Sequence, residues 1–320
     1  MKTLPWQKGT FPLMLAPMQG LTNRAMRAVQ CDIGQPDVVF TEFVRVSHVA
    51  RQRITPSDRR EILAGVDDVP LVVQLIGHRS ESLAEAAQIV ADLGGAHVNL
   101  NMGCPFGRTT TGKTGGAMLQ EPEKIGDCLR AIRAAFHGSV SVKVRAGYDD
   151  PEQIFDLLPV FEKYGVDFIV LHPRTVVQKY ADDADHAVTA RVVAATALPV
   201  IANGDLFSEE RARQVAEQTG AAGLMLGRGA IADPWLFQRI RGRGVEPDIS
   251  QRLQQIVVYF DRLSENYVPL FCGEQQVLSK LKNVLDAFVD PELQTLKKKL
   301  RRCKTLSQFH DVLRAASLTM

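Results

Sequence analysis

Cysteine is scarce in this chain, and the cysteines that are present stand far apart. The 320 residues contain five of them, with no CxxC pair and no cluster of cysteine and histidine. This spacing excludes the common zinc-binding patterns and gives no sign of a disulfide framework. Such usage fits reduced thiols in a reducing compartment. We therefore expect a cytoplasmic protein without a bound metal.

Long apolar runs are also missing. No stretch approaches the roughly 18 apolar residues that a membrane span requires, and residues 1–8 lack the apolar core of a secretory signal peptide. The formal net charge is only +2, so any nucleic-acid-binding surface must be a local one. We expect no membrane partner, and the length suffices for a large domain followed by a smaller one.

A glycine-rich dinucleotide-binding loop is absent after the first apolar run, where residues 15–20 read Leu-Ala-Pro-Met-Gln-Gly. Eight short apolar runs alternate with segments of helical period, which favours a (β/α)₈ barrel. A doubly wound sheet is the alternative, but it usually has fewer strands and that loop. The predicted strands are Pro12–Ala16, Val38–Glu42, Leu71–Ile76, Ala96–Asn101, Val140–Arg145, Phe168–His172, Pro199–Asn203 and Ala222–Gly227. Predicted helices between them include Ser82–Leu93, Glu123–Phe136, Pro151–Tyr164 and Ser208–Thr219.

The pattern changes after residues 243–247, a Gly/Pro segment that is typical of a linker. Beyond it the periodicity is helical, with four predicted helices at about 249–268, 273–289, 291–302 and 305–317. We therefore divide the chain into a barrel domain, 1–245, and a small helical domain, 246–320. The second domain is locally basic, since residues 297–304 hold six cations in eight positions. This run is either a solvated helix face or a surface for a phosphate-rich ligand.

Cys104 stands in a Gly-Cys-Pro turn directly after the fourth predicted strand. Glycine and proline end the strand there. The carboxyl ends of barrel strands form the rim where active sites lie, so this thiol is a candidate for chemistry. Cys128, by contrast, falls within an apolar helical pattern and fits a buried structural thiol.

Other predicted strands also end in polar or glycine-containing clusters. Residues 203–205 (Asn-Gly-Asp) and 227–229 (Gly-Arg-Gly) follow the last two strands, where barrels often bind phosphate. Lys143 on the fifth strand is placed to stabilise negative charge on an electron-rich ring, and Gln74 and Asn101 carry amides that can read a ring edge. This combination favours FMN over a bare sugar phosphate.

The motifs together resemble the tRNA-dihydrouridine synthases, in the order and spacing of that family. Within the family, residues 41–46 resemble the bacterial C subfamily, which acts on uridine 16 of the tRNA D-loop. The motifs are residues 15–18 (LAPM), 41–42 (TE), 74–75 (QL), 101–105 (NMGCP), 115–117 (GGA), 142–145 (VKVR), 172–175 (HPRT), 201–205 (IANGD) and 227–229 (GRG).

The resemblance implies an FMN-containing barrel followed by a helical RNA-binding domain, with tRNA as partner and NADPH as reductant. We expect the enzyme to be a monomer. Cys104 would be the general acid. The residues predicted to bind the cofactor are Pro17, Met18, Gln19, Gln74, Lys143, His172, Asn203, Gly204, Asp205, Gly227 and Arg228. The residues predicted to contact RNA or the target uridine are Arg45, Asn101, Tyr180, Lys280 and Lys282.

The implied reaction begins when NADPH reduces FMN. The uridine is flipped into the barrel mouth, hydride passes from the flavin to C6, and Cys104 protonates C5 from the opposite face. The thiol must carry its proton at that step. Asn101, three residues earlier, would hold the polar edge of the uracil.

The sequence departs from the family at four positions. Asn99 replaces a usual aspartate, Met102 replaces a second cysteine of the C subfamily, and Arg108 stands one place beyond a usual lysine. We expect Asn99 and Met102 to be packing residues. Pro173 replaces a small residue and removes a backbone N–H near the flavin.

Two other functions stay open on the residues. One is a free-pyrimidine flavoenzyme of the dihydroorotate dehydrogenase kind, which needs no basic helical domain. The other is an RNA-binding barrel that has lost turnover, which would not hold a flavin.

Overall fold

The computed structural model describes residues 3–66, 68–106 and 113–318, so Arg108 lies outside the described residues. Nine strands pair in parallel, in the order β2-β1-β9-β8-β7-β6-β5-β4-β3, and an additional β2–β4 pairing closes the sheet. The strands are β1 Leu13–Leu15, β2 Val38–Phe40, β3 Val44–Arg45, β4 Leu71–Ile76, β5 His97–Met102, β6 Ser139–Gly147, β7 Phe168–Thr175, β8 Val200–Asn203 and β9 Gly223–Leu226. This closure confirms the predicted (β/α)₈ barrel and excludes the open, doubly wound sheet.

All eight predicted strands are present, and β3 is an addition. The predicted strand Val38–Glu42 stops at Phe40, and the chain then re-enters the sheet as β3, which pairs only with the carboxyl-terminal half of β4. Two residues of ladder are too short to leave a periodic signal in the sequence. β3 lengthens the barrel wall on the side of the rim where Arg45 lies.

Helices cover the outside of the barrel. The four helices predicted there are confirmed to within two residues at each end. Polar caps mark several starts: the side chains of Asn23, Thr55 and Ser208 accept backbone N–H groups at the first turns of their helices. The helices are α1 Arg24–Ile33, α2 Pro56–Leu63, α3 Ser80–Asp92, α4 Pro122–Ala135, α5 Gln153–Lys163, α6 His186–Ala195, α7 Glu209–Thr219, α8 Arg228–Ala232 and α9 Leu236–Ile240, with a 3₁₀ segment at Gly115–Gln120.

The carboxyl-terminal part is helical, as predicted. A capping box of Asp248 and Gln251 starts the first of its helices. Short 3₁₀ turns stand where the predicted second helix ends and the third begins, at Leu285–Ala287 and Pro291–Leu293. The helices are α10 Ile249–Tyr267, α11 Glu274–Val284, α12 Gln294–Arg302 and α13 Leu306–Leu318.

The core of these four helices is shared with the barrel. Tyr259 and Phe260 of α10 pack in one apolar cluster with Met26 and Val29 of α1. The Tyr259 hydroxyl lies 3.3 Å from the Met26 sulfur, and both side chains are almost wholly buried. Removing the carboxyl-terminal helices would therefore expose an apolar face of α1, so truncation is a poor test of what they do.

Candidate active site

Two adjoining cavities open at the carboxyl ends of the barrel strands. The larger, of about 450 Å³, reaches Asn101, Cys104 and Arg145. The smaller, of about 90 Å³, lies between the loops that follow β8 and β9. The larger volume falls in the range of about 300–1,000 Å³ that is usual for ligand pockets. Six residues line both cavities: Pro17, Met18, Lys143, His172, Tyr180 and Arg228.

Cys104 is held at the wall of the larger cavity by a capped turn. The Asn101 Oδ1 atom accepts the backbone N–H groups of Gly103 and Cys104, both at 3.1 Å. On the other side, the Gly116 N–H donates to the Cys104 carbonyl at 3.0 Å. A Cβ on Gly116 would lie only 2.6 Å from a Val176 methyl group. The Gly-Gly motif thus lets a second loop pack against the partly buried thiol residue.

A chain of buried amides supports Asn101 from below. Its Nδ2 donates to Gln74 Oε1, and Gln74 Nε2 donates in turn to Asn99 Oδ1, both at 2.8 Å. Asn99 then donates to the Ser141 hydroxyl at 2.8 Å. Gln74 and Asn99 are fully buried. Among the described residues, Gln74 is not part of the lining of either cavity.

This chain changes the interpretation of Gln74 and Asn99. Gln74 touches the amide of Asn101 rather than the cavity, and Asn99, expected to be a packing residue, is a polar link to strand β6. Met102, in contrast, is fully buried in the apolar core, as predicted. Pro173 lies inside β7, which continues to Thr175, so this departure from the family pattern does not end the strand.

Lys143 crosses from β6 toward β8. Its Nζ donates to Asn203 Oδ1 at 2.8 Å, and Asn203 Nδ2 is itself bound to the Met225 carbonyl. Burial lowers the pKa of Lys143 to about 7, and the guanidinium of Arg145 adds to this shift. With its pKa in the neutral range, the Lys143 amine can take up a proton when an anion enters the cavity.

His172 is neutral in this setting. Burial lowers its pKa well below the ordinary value, and the positive charges of Lys143 and Arg145 contribute. Its Nε2 lies 3.1 Å from Nη1 of Arg174. Because a guanidinium can only donate, Nε2 is an acceptor and the ring proton belongs on Nδ1.

Asp205 organises the cations of the smaller cavity. It accepts from Arg174 at 2.5 and 3.1 Å and from Arg228 at 2.8 Å. Although burial alone would raise its pKa, Arg174, the Ala184 N–H and Arg228 hold the pKa below the usual value. Asp205 thus places Arg228 on the cavity wall.

The neighbouring glycines leave room beside these charges. Gly204 has φ +128°, and a Cβ there would lie 2.9 Å from that of Ala184. Gly227 lines the same cavity. A residue with a side chain is disfavoured at Gly204 both by this close contact and by the positive φ.

Of the residues predicted to contact RNA, Tyr180 and Asn101 line the larger cavity. Gln19, which was predicted to bind the cofactor, also lines it. Arg45 is exposed, with its guanidinium 5.6 Å from the ring centroid of Phe43, which also lines that cavity. Lys280 stands over the ring of Phe271 at 5.1 Å.

Lys282 lies on another side of α11, where its Nζ donates to the Cys303 carbonyl. The two lysines therefore contact different neighbours, as their spacing of roughly 160° on a helical wheel predicts.

The basic run lies on α12 and reaches the mouth of the larger cavity. Arg301 forms an ion pair with Asp286, which lines that cavity. Lys298, Lys299 and Arg302 are exposed. Helix α12 thus places Arg301 beside the site and carries further exposed cations along its length.

Several residues of the site were not assigned a role from the sequence. Arg145 and Arg174 stand in the quoted strand motifs, and the signal that could have identified them is a cation inside an apolar strand. Phe106 and Asp286 also line the larger cavity. Phe106 directly follows the Gly-Cys-Pro turn, which could have identified it, whereas Asp286 stands in a segment without a distinctive pattern and is brought to the mouth by tertiary packing.

Comparisons with known proteins agree with this geometry. A sequence profile of the family described as "Dihydrouridine synthase (Dus)" matches residues 14–319. The "tRNA-dihydrouridine(16) synthase" of Cupriavidus necator is 37% identical over 265 residues, which cover 78% of this chain and 81% of that protein. The "Probable tRNA-dihydrouridine synthase" of Rhodobacter capsulatus is 36% identical over 232 residues, covering 72% and 70%.

Solved structures share the fold at low sequence identity. Morphinone reductase in complex with tetrahydroNAD aligns with a TM-score of 0.54 and 16% identity, over 75% of this chain and 90% of that one. Histamine dehydrogenase from Rhizobium sp. 4-9 aligns with a TM-score of 0.57 and 15% identity, over 72% and 46%. Within the described ranges, no group of acidic, cysteine and histidine side chains is arranged to hold a metal. No described helix is long and apolar enough to cross a membrane.

Proposed function

Because the chain belongs to the dihydrouridine synthase family, we propose that it reduces uridine 16 of the tRNA D-loop to 5,6-dihydrouridine, with FMN as cofactor and NADPH as reductant. The observation that carries this proposal is a single cavity lined by the thiol-bearing Cys104 and by the cationic Lys143 and Arg228. Besides a hydride source, the addition of hydride and proton across a double bond requires a proton donor and groups that stabilise negative charge.

The residues fit FMN. Arg228 and the side-chain-free Gly204 and Gly227 form a small cavity of a kind that takes a phosphate. A carboxylate beside a phosphate would repel it, but Asp205 is neutralised by Arg174 and Arg228. Lys143 would face the flavin ring, with Pro17, Met18, Gln19, His172 and Asn203 around it and Gln74 acting through Asn101.

The chemistry of the chain's own residues centres on the turn at Cys104. Once reduced by NADPH, bound FMN would supply a hydride to C6 of the uracil. Cys104 would then donate its thiol proton to C5, from the capped turn that Asn101 holds. In the described structure Asn101 Nδ2 makes one hydrogen bond, so its second N–H is available for a uracil carbonyl.

The tRNA would lie across the mouth. The exposed cations of α12 would neutralise backbone phosphates, while Arg45, Tyr180, Lys280 and Lys282 would contact the RNA nearer the target. A flipped uridine would enter the larger cavity. In this proposal residues 1–245 form the FMN-binding domain and 246–320 the tRNA-binding domain, and the enzyme acts as a cytoplasmic monomer.

The choice of position 16 is supported by relatives that carry this specificity in their names. The protein of Cupriavidus necator matches over 81% of its length, and that of Pseudomonas putida is 32% identical and matches over 84% of its length. Relatives named "tRNA-dihydrouridine synthase B" also align, for example that of Pseudomonas syringae over 67% of its length.

Mapping dihydrouridine in tRNA from cells that lack this protein tests the proposal. We expect loss at position 16 alone, restored by the wild-type gene. In vitro, the purified protein with FMN and NADPH should reduce a tRNA transcript and should leave a matched transcript with cytidine at position 16 unmodified. Loss at a different position would overturn the assignment to uridine 16. Turnover of free pyrimidine in place of tRNA would overturn the substrate class.

A further inference from the structure

Arg145 lines the larger cavity and is anchored to the backbone of two segments, although the chemistry above does not use it. It is 2% exposed. Its Nε donates to the Gly103 carbonyl at 2.9 Å, and its Nη1 donates to the carbonyls of Thr175 and Lys179 at 2.8 and 2.6 Å. One guanidinium therefore joins the turn that carries Cys104 to a loop that follows β7.

That loop, residues 176–184, carries Tyr180. The Tyr180 ring lies 5.4 Å from the Arg145 guanidinium and 4.8 Å from that of Arg228, and it lines both cavities. Since a tyrosine between two guanidiniums gains cation–π attraction from each, both contacts favour this ring orientation although the residue is half exposed. Tyr180 forms a wall shared by the two cavities.

The backbone of this loop is shaped to meet two buried arginines. Lys179 and Asp182 have φ of +52° and +56°, a left-handed conformation that costs energy for residues with side chains. The Lys179 carbonyl accepts from Arg145, and the Asp182 carbonyl accepts from Arg174 at 2.5 Å. Each strained residue thus presents its carbonyl to a buried guanidinium that stabilises it.

We propose that Arg145 is a positioning residue that fixes the Cys104 turn and the Tyr180 loop relative to each other. This inference rests on the proposed function. The proton donor Cys104 and the wall that Tyr180 forms beside the flipped base then move as one unit rather than independently. A charge alone does not achieve this, because the three carbonyls lie in two separate segments and only a branched donor reaches both.

The substitution Arg145→Lys separates charge from geometry, since lysine keeps the cation but lacks the fork. Trypsin offers a readout independent of catalysis, because Lys179 is exposed and its peptide bond to Tyr180 is a cleavage site. In the wild type, the hydrogen bond from Arg145 to the Lys179 carbonyl should protect the Lys179–Tyr180 peptide bond from cleavage. With two hydrogen bonds lost, we expect cleavage there to accelerate by about 10- to 30-fold.

Arg133→Met is the matched control. Arg133 is a partly buried arginine that likewise holds backbone carbonyls, those of Phe136, Gly138 and Gly165, but it lies near the amino-terminal ends of β6 and β7. The Arg133→Met substitution should lower the overall stability without exposing the peptide bond between Lys179 and Tyr180. Carboxamidomethylation of Cys104, followed by peptide mass spectrometry, should be faster in Arg145→Lys and unchanged in Arg133→Met.

In turnover, Arg145→Lys should keep NADPH-dependent flavin bleaching and slow dihydrouridine formation by about tenfold or more, with the loss in kcat rather than in KM for tRNA.

A folded Arg145→Lys protein with wild-type cleavage at Lys179 would overturn the proposal, as would equal acceleration of that cleavage in Arg133→Met. If Arg145→Lys does not fold, Arg145→Gln, which keeps one donor near the position of Nε but lacks the two Nη groups, decides by the same cleavage assay. If the wild type forms no dihydrouridine, the proposed function fails, and the trypsin result still decides the role of Arg145.

Discussion

The barrel mouth and helix α12 both hold several cations, but they hold them in opposite ways. Arg145 and Arg174 are 2% and 3% exposed and donate to several fixed acceptors each. Lys298, Lys299 and Arg302 of α12 are exposed to solvent. A desolvated cation with several partners has one geometry, whereas a solvated cation contributes attraction at long range with little orientation. The first kind builds a reaction site, and the second attracts a polyanion.

Within the fixed geometry of the barrel mouth, the largest effect is expected at Cys104. Cys104→Ala should reduce dihydrouridine formation by about 10²- to 10⁴-fold, the usual contribution of a general acid. NADPH-dependent bleaching of the flavin should be retained, because the thiol is not needed for it. Stopped-flow absorbance separates the two half-reactions. Cys272→Ala, at an exposed position of the helical part, is the control and should behave as wild type. Normal product formation by Cys104→Ala would refute the assignment of the acid.

The second prediction compares two neighbouring amides of one chain. Asn101→Ala removes the cap of the Cys104 turn and should slow uridine reduction by about 10- to 100-fold, since a lost polar contact costs roughly 1–3 kcal/mol. Asn99→Ala leaves Gln74 and Ser141 without their shared partner. It should chiefly lower the free energy of unfolding, by about 1–3 kcal/mol. Rate assays and urea titrations of both variants make the comparison. An Asn99→Ala enzyme that is fully stable but equally slow would show that Asn99 acts in the reaction.

The third prediction concerns pH and the cation in the mouth. With its pKa lowered to about 7, Lys143 is neutral above that pH in the unliganded protein, and an anionic ligand must bring in a proton. The affinity of the apoprotein for FMN should therefore fall as pH rises above 7, by up to about tenfold per pH unit. Below pH 7 the lysine is already charged, so this contribution levels off.

Fluorescence titrations of FMN between pH 7 and 9 test the third prediction, and calorimetry in two buffers counts the proton taken up. Lys143→Arg should remove the pH dependence, because arginine stays charged throughout this range. A wild-type affinity that does not change with pH would contradict the role assigned to Lys143.

The smallest effects belong to the exposed cations. Lys298→Gln and Arg302→Gln should each weaken tRNA binding only a few-fold and lower the slope of log affinity against log salt by about 1. Anisotropy titrations with labelled tRNA at several salt concentrations measure both quantities. Arg213→Gln serves as control, because Arg213 is an exposed cation of α7 paired with Glu209, and it should change neither. A large, salt-independent loss at Lys298 would break the contrast between the two regions.

Much of the fold could be predicted because its signals are local. Apolar runs with β-branched residues identify the eight barrel strands, and the helices between them end near their predicted limits. β3 was not predicted, because two residues of ladder have no period of their own. The thiol of Cys104 and the glycines after β8 and β9 were also visible, since a Gly-Cys-Pro turn and Gly-containing strand ends are local patterns.

Partners across the chain could not be predicted in the same way. The sequence suggested that Gln74 contacts a cofactor and that Asn99 only packs, yet both belong to a buried amide chain behind Asn101. Asp205 was predicted to contact the cofactor; it lines the smaller cavity, and the sequence did not show that Arg174 and Arg228 would hold it there. Each of these partners is more than 20 residues away.

Local chemistry and periodicity decided that this chain forms a barrel, that Cys104 stands at the end of a strand, and that a basic helix follows. These properties depend on neighbours within a few residues, and the sequence displays them directly. Closure of the barrel decided that Arg145 reaches Gly103 and Lys179, 42 and 34 residues away, at the same time. Only the tertiary structure could settle this, because hydrogen bonds between distant segments depend on the strand register and on the path of each loop.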